Sequence, residues 1–439
     1  MTDATPAPSN ILRGHKAQVH AATFIRDNER LVTADADGYV VLWDLAVMRP
    51  AVVWRAHDKS ILGVAGWGLD KIITHGRDHK IVVWKLPAQD EQSLSSILPV
   101  EPVAEARRQP WILHLVEVNA LNFCSFAACA RRSDGTLSGP DASSDILLAV
   151  PNALASEAVD IFALPSQSRL HTVRSGSKTG MVMCLRLIHL AGCPTLIAGF
   201  ENGGVSVRLL DAAGTWITTY LSQPHSQPVL SLDVHPSHEC FFSSSADSIL
   251  AQHPVPIAQR FCPGDVTVEA HVPEGSAVPS SSDAGGDTPR RTQTMEAWKH
   301  PLKTVNTKHS GQQSLRVRSD GKILATAGWD SKIRVYSAKT LNELAVLQWH
   351  KVGAYAVAFA DVVQAENKSF GLEESSQQSA ASFPGGQSAE KGVLRTREAS
   401  LVGGRQRTSV EERRIRRART THWVAAGAKD GKVSLWQVY

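Results

Sequence analysis

The chain has 439 residues, 43% of them hydrophobic, and a formal net charge of +4, enough apolar content for a core and too little charge to argue nucleic-acid binding. Residues 1–10 are polar with no apolar signal core, and no run approaches the 18 apolar residues of a membrane span, so a soluble intracellular protein is expected. Six cysteines without a CxxC pair suit a reducing compartment and point to no metal.

Two units near the start share one plan. His15, Thr33, Asp37 and Trp43 are followed by His57, Thr74, Asp78 and Trp84, with Thr to Trp ten residues apart and Asp to Trp six in both. This is the signature of the WD repeat, a unit of about 40 residues that forms one propeller blade. In the first unit Val19 and Phe24 belong to the innermost strand, with strands over 31–34 and 39–43 after it. Glycine or aspartate between them permits tight turns.

A degenerate third unit takes strands over 111–115, 123–126, 146–150 and 158–162, with a polar loop at 131–144. In the fourth, Arg208 stands where Trp43 stands in the first. In the fifth, beginning near His225, His253 takes that place. A Ser-, Pro-, Gly- and Asp-rich stretch at 263–291 then reads as a flexible insertion before the sixth unit. The sixth carries Thr326 and Asp330, with Tyr336 at the Trp spacing. The seventh opens at His350 and is interrupted by a polar, basic span at 361–420, read as disordered. It closes on Asp430 and Trp436.

The expectation is one all-β domain over 1–439, a seven-bladed WD40 β-propeller. Its last blade lacks an outer strand of its own, and residues 9–13 are the natural donor, which hides the edges an open sheet would expose.

The His, Thr, Asp and Trp sets read as structural tetrads rather than catalytic or metal sites. A neutral histidine can bridge a carboxylate and a hydroxyl while the hydroxyl also receives an indole N–H, and such a network clamps strands. No phosphate loop, nucleophile motif or metal-ligand spacing accompanies them, so neither an enzyme nor a cofactor is expected.

Arg413, Arg414, Arg416, Arg417 and Arg419 form a compact basic run. It is open to three readings: a solvated insertion, a nuclear-targeting segment or a phosphate contact. No aromatics are interleaved to stack on bases, so direct nucleic-acid binding is the weakest of them. Trp67 and Trp329 lie near blade turns and are candidate interaction residues, since rigid aromatics anchor interfaces.

Several units together carry a resemblance. Residues 11–15, 33–44, the run Ile72-Ile73-Thr74-His75-Gly76-Arg77-Asp78, Glu201-Asn202-Gly203-Gly204, Ala327-Gly328-Trp329-Asp330 and the closing 426–436 resemble the fungal ASTRA-associated protein 1 family. The resemblance spans the folded chain but not the stretches at 263–291 and 361–420. It implies a nuclear, non-catalytic scaffold of the ASTRA complex, linked to chromatin regulation, telomere maintenance and assembly of a PIKK-family member with its co-chaperones. It supplies no catalytic residues. Two other readings of a propeller are a histone-tail reader using the central channel and a substrate receptor of a ubiquitin ligase. The second is weakened because no Arg follows the Trp43-Asp44 ending two residues on.

Overall fold

The computed structural model describes residues 6–102, 107–118, 123–139, 141–176, 179–256, 297–362 and 409–438. They form seven four-stranded sheets, every neighbouring pair antiparallel, arranged as the blades of a propeller. The innermost strands are Val19–Ile25, Ile61–Trp67, Ala127–Ala130, Val182–Leu190, Val229–Val234, Gln312–Val317 and Ala354–Phe359. The second and third strands of each blade are covered on both faces by neighbouring blades. They therefore read as near-continuous apolar runs, as in Arg30–Asp35 and Tyr39–Asp44, with Leu31, Val32, Val41, Leu42 and Trp43 all buried. Outer strands such as Ser168–Val173 are largely exposed.

The ring closes as expected. Asn10–Arg13 pairs antiparallel with Lys432–Gln437 as the outer strand of blade 7, and Leu12 is buried in the core it shares with Trp43 and Trp423.

Two irregularities recur and show the repeat where side chains do not. A bulge falls near the start of the inner strand in six blades, between Val19 and Ala21 in blade 1 and at the matching place in blades 2, 4, 5, 6 and 7. A second bulge falls in the third-to-outer pairing at the Trp position, at Trp43, Trp84, Phe162, Arg208 and Tyr336. It identifies Phe162 as the blade 3 counterpart of the tryptophan. Each bulge bends and twists its strand where the blade must fan outward.

Tight glycine turns lock one blade to the next. Gly38 has φ of +85°, and a Cβ there would sit 1.9 Å from the His57 carbonyl oxygen. Gly431, with φ of +75°, meets the His15 carbonyl in the same way at 2.3 Å and so joins blade 7 to blade 1.

Three expectations are corrected. Residues 111–115 belong to Trp111–Glu117, the outer strand of blade 2 rather than a strand of blade 3. The inner strand of blade 3 is Ala127–Ala130, not 123–126. The span 361–420, read as wholly disordered, contains an α-helix at Val410–Thr420. Its start is fixed by a capping box, in which Ser409 Oγ accepts from the Glu412 N–H and the Glu412 carboxylate accepts from the Ser409 N–H. Residues 263–291 and 363–408 lie outside the described residues.

Candidate functional site

The histidine networks are built inside blades. In blade 1, His15 Nδ1 lies 2.7 Å from Asp35 Oδ2 and His15 Nε2 lies 2.7 Å from Thr33 Oγ1, which accepts the Trp43 indole N–H at 2.8 Å. A neutral imidazole with its proton on Nδ1 satisfies every member: Nδ1–H donates to the carboxylate, and the Thr33 hydroxyl donates to Nε2. In blade 2, His57 joins Asp78 at 2.8 Å and Thr74 at 2.7 Å, and the Trp84 indole donates to Thr74 at 2.9 Å.

The acid in blade 1 is Asp35, not Asp37. Asp37 is exposed, while Asp35 is fully buried and also accepts from the Asp37 and Tyr39 N–H groups. The second strand explains the change. The position matching Asp35 in blade 2 is Gly76, where a Cβ would strike His57 Nδ1 at 2.3 Å. Blade 2 therefore brings its carboxylate from the turn, and blade 1 brings it from the strand.

Other blades keep the clamp with different parts. In blade 5, His225 bridges Asp247 and Ser243, and Ser243 Oγ meets His253 Nε2 at 2.8 Å. His253, in the Trp place, continues to the Tyr220 hydroxyl of blade 4 at 2.8 Å. In blade 4, Arg208 donates to the carbonyls of Arg174 and Ser175 at 2.6 and 2.7 Å. In blade 6 no histidine reaches Thr326 and Asp330 by hydrogen bond among the described residues. Arg334 instead donates to Asp330 at 2.6 Å, and Tyr336 is buried with its phenol pushed up to about 12 by burial.

In blade 7, His350 Nε2 and the Trp436 indole both meet Ser434 Oγ at 2.8 Å. Ser434 lies directly across from Ala426, the residue in the Thr33 position, so the hydroxyl has moved to the facing strand. Asp430 is taken by Lys432 at 2.6 Å.

Of the candidate interaction residues, Trp67 is corrected. It is 2% exposed, its indole donates to the Ser143 carbonyl at 2.7 Å, and it packs between blades 2 and 3. Trp329 is 48% exposed on the turn between the second and third strands of blade 6, with its indole donating to Gln313 Oε1 at 2.9 Å. Among the described residues no group of three or more His, Cys, Asp or Glu could hold a metal ion, and no helix is long and apolar enough to cross a membrane.

Comparison with known proteins fixes the family. The profile of ASTRA-associated protein 1 matches residues 8–436. The chain belongs to the ASTRA-associated protein 1 family. It is 50% identical to the member from Verticillium alfalfae over 99% of this chain and 93% of that one. It is 45% identical to that of Pyricularia oryzae over 99% and 98%, and 31% identical to that of Schizosaccharomyces pombe over 81% and 93%.

In this family member the basic run is the helix Val410–Thr420. Its acidic residues Glu411 and Glu412 lie in the first turn and Arg417 and Arg419 in the last, which matches the helix dipole. Ala418 is buried in the core shared by blades 1 and 7, and Arg419 Nε donates to Glu29 at 2.6 Å. Arg413, Arg414, Arg416 and Arg417 are exposed.

The residue that holds this helix, Asn28, carried no sequence signal, being one polar residue in a turn. It has φ of +66°, is 2% exposed, and hydrogen-bonds backbone atoms of Asp361 and Arg419.

Proposed function

We propose that the protein is a non-catalytic scaffold subunit of the ASTRA complex. In this reading it acts in the nucleus, in chromatin regulation, telomere maintenance and the assembly of a PIKK-family member with its co-chaperones. The observation that carries it is the near end-to-end match to ASTRA-associated protein 1 sequences. The chemistry of the blades agrees. Their polar side chains are spent on strand clamps in separate places and do not converge on one substrate.

Trp329 is the proposed anchor on the turn face, because a half-exposed indole with its N–H already satisfied offers apolar area at little entropic cost. Arg413, Arg414, Arg416 and Arg417 form the proposed nuclear-targeting surface, with Arg419 held by Glu29.

The test is purification of the tagged full chain from native nuclear extract, read by mass spectrometry, beside Trp329→Ala and a deletion of 363–408. Recovery of a PIKK-family protein and its co-chaperones with wild type supports the scaffold reading, and their loss with Trp329→Ala supports the turn face. A ligase adaptor or histones alone would overturn it. Replacing the four exposed arginines by glutamine and imaging the protein tests the targeting surface.

A further inference from the structure

One layer of the central channel carries charge on one side only among the described residues. The residue one step beyond the one facing the clamp position can be matched across blades by its partner on the second strand. Thr23 pairs with Val32, Ala65 with Ile73, Ala127 with Ala149, Arg186 with Ile197, Asp233 with Phe242, Arg316 with Ala325 and Ala358 with Ala425. These residues form one layer around the axis. Three consecutive blades, 4, 5 and 6, place Arg, Asp and Arg there, and the opposite blades place small side chains.

The charges do not balance. Arg186 Nε donates to Asp233 Oδ1 at 2.8 Å, and Asp233 Oδ2 already accepts from the Val317 N–H at 2.8 Å. Arg316 donates to the Leu315 carbonyl at 2.8 Å, and among the described residues no carboxylate lies within ion-pairing distance of it. Both guanidinium groups line the channel cavity together with His20, Gln313 and Tyr355. Burial keeps the His20 imidazole below its ordinary value and so neutral near pH 7, adding no charge. Burial and the Arg186 charge hold the Arg316 guanidinium down at about 10, while Asp233 acts on it in the opposite direction from beyond ion-pairing distance. Asp233 is already paired with Arg186, so two partly buried guanidinium groups share one carboxylate. That sharing is costly, and an anion brought into the channel would offset the cost.

We propose that the channel binds an oxyanion, a phosphate or carboxylate group, seated between Arg316 and Arg186 on the side of blades 4 to 6. The small residues of blades 1, 2 and 7 leave the opposite side open for it. Arg316 supplies a planar fork of donors, and Arg186 shares its charge between the ligand and Asp233. The ligand is either a free anion or an acidic side chain inserted along the axis.

The test is calorimetric titration of the full chain with inorganic phosphate and, separately, with a capped tripeptide bearing one glutamate, at matched ionic strength. Binding of phosphate alone assigns a free anion, and binding of the tripeptide assigns an inserted side chain. Arg316→Gln should weaken whichever binds by about tenfold or more, since a charge-assisted pair is lost. The same variant without ligand should unfold at or above the wild-type temperature, which separates a lost site from a lost fold. Arg316→Lys should bind with intermediate affinity. No binding of either probe, or binding unchanged in Arg316→Gln, would overturn the proposal.

Discussion

Asn28 and Asp361 are hydrogen-bonded in both directions although 333 residues separate them. The Asp361 N–H donates to Asn28 Oδ1 at 2.9 Å, and Asn28 Nδ2 donates to the Asp361 carbonyl at 2.8 Å and to the Arg419 carbonyl at 3.1 Å. One side chain in a turn of blade 1 thus gathers both ends of the span interrupting blade 7. Asn28→Ala removes all three bonds inside a buried site and leaves a non-glycine residue at positive φ. It should cost about 2–4 kcal/mol, from unpaired backbone groups and the left-handed conformation. Hydrogen exchange should show the loss concentrated in Val410–Thr420. Unchanged protection there would show that Ala418 packing and the Arg419–Glu29 pair hold the helix without Asn28.

The two aspartates of the blade 1 turn should separate sharply. Asp35→Ala leaves His15 Nδ1 and two backbone N–H groups without their acceptor in a fully buried site, a loss of about 2–4 kcal/mol by denaturant unfolding. Asp37→Ala, at an exposed position, should fall within about 0.5 kcal/mol of wild type. Equal losses would contradict the network as drawn.

This pair also shows how far sequence reading reached. Seven blades, the donated closing strand, the network of blade 2 and the His15, Thr33 and Trp43 members of that of blade 1 were legible, the networks because a ten-residue Thr-to-Trp spacing is imposed by two paired strands and the turn between them. The choice between Asp35 and Asp37 was not, because it depends on how closely the His15 ring approaches the second strand, which residue spacing does not encode. In blade 2 the matching strand position is Gly76, where a Cβ would strike the His57 ring. Residue spacing does not show which blade Trp111 belongs to, because its outer strand is largely exposed and carries little pattern. The burial of Trp67 leaves no local signal, because its partner, the Ser143 carbonyl, comes from a loop 76 residues on. The helix Val410–Thr420 was hidden by its arginines. Its apolar contact is little more than Ile415 and Ala418, too few for a periodic signal.

His75 sets a pH dependence. It is fully buried against Phe126, neither ring nitrogen has a hydrogen-bond partner among the described residues, and burial pushes its imidazole down to about 3. The folded state keeps it neutral, while the unfolded chain takes up a proton below about 6.5. Its stability contribution is therefore complete above pH 6.5 and is lost as pH falls from there toward 3. At pH 5.5 the loss is about 1.4 kcal/mol. His253, pushed down by burial and by His225, adds a loss of the same sign. His75→Leu should be near-neutral at pH 7.5 and should flatten the fall in melting temperature between pH 7 and 5. An equally steep fall in the variant would place the sensitivity elsewhere.

At more acid pH the carboxylates take over. Burial would raise Asp78 and Asp247, but hydrogen bonds from His57 and His225, with backbone N–H groups, outweigh it and hold both below the ordinary value. Stability from these groups is present above about pH 4, the unfolded value, and is lost as pH falls through the lower folded value. Asp78→Asn should therefore lose stability at pH 7 and show a shallower dependence than wild type below pH 4. A parallel curve would mean that Asp78 does not titrate with folding.

The closing strand gives the last test. Asn10–Arg13 pairs with Leu435, Ser434, Val433 and Lys432, and Leu12 is 2% exposed in the core shared by blades 1 and 7. Removing residues 1–13 would expose the long edge of Lys432–Gln437 and empty the Leu12 site, whose loss alone costs about 2–4 kcal/mol. The truncated chain should melt well below wild type and self-associate through the bare edge. Removing residues 1–7 should change neither property, because among the described residues the first backbone bond to blade 7 is made by the Ser9 N–H to the Leu435 carbonyl at 2.8 Å. A synthetic peptide of residues 8–14 added to the longer truncation should restore the melting temperature in a concentration-dependent way, since it binds only the folded ring. A Leu12→Asp peptide should fail, because its carboxylate would be buried among Trp43, Val433 and Trp423. Rescue by that peptide would show that backbone pairing, and not the Leu12 contact, closes the propeller.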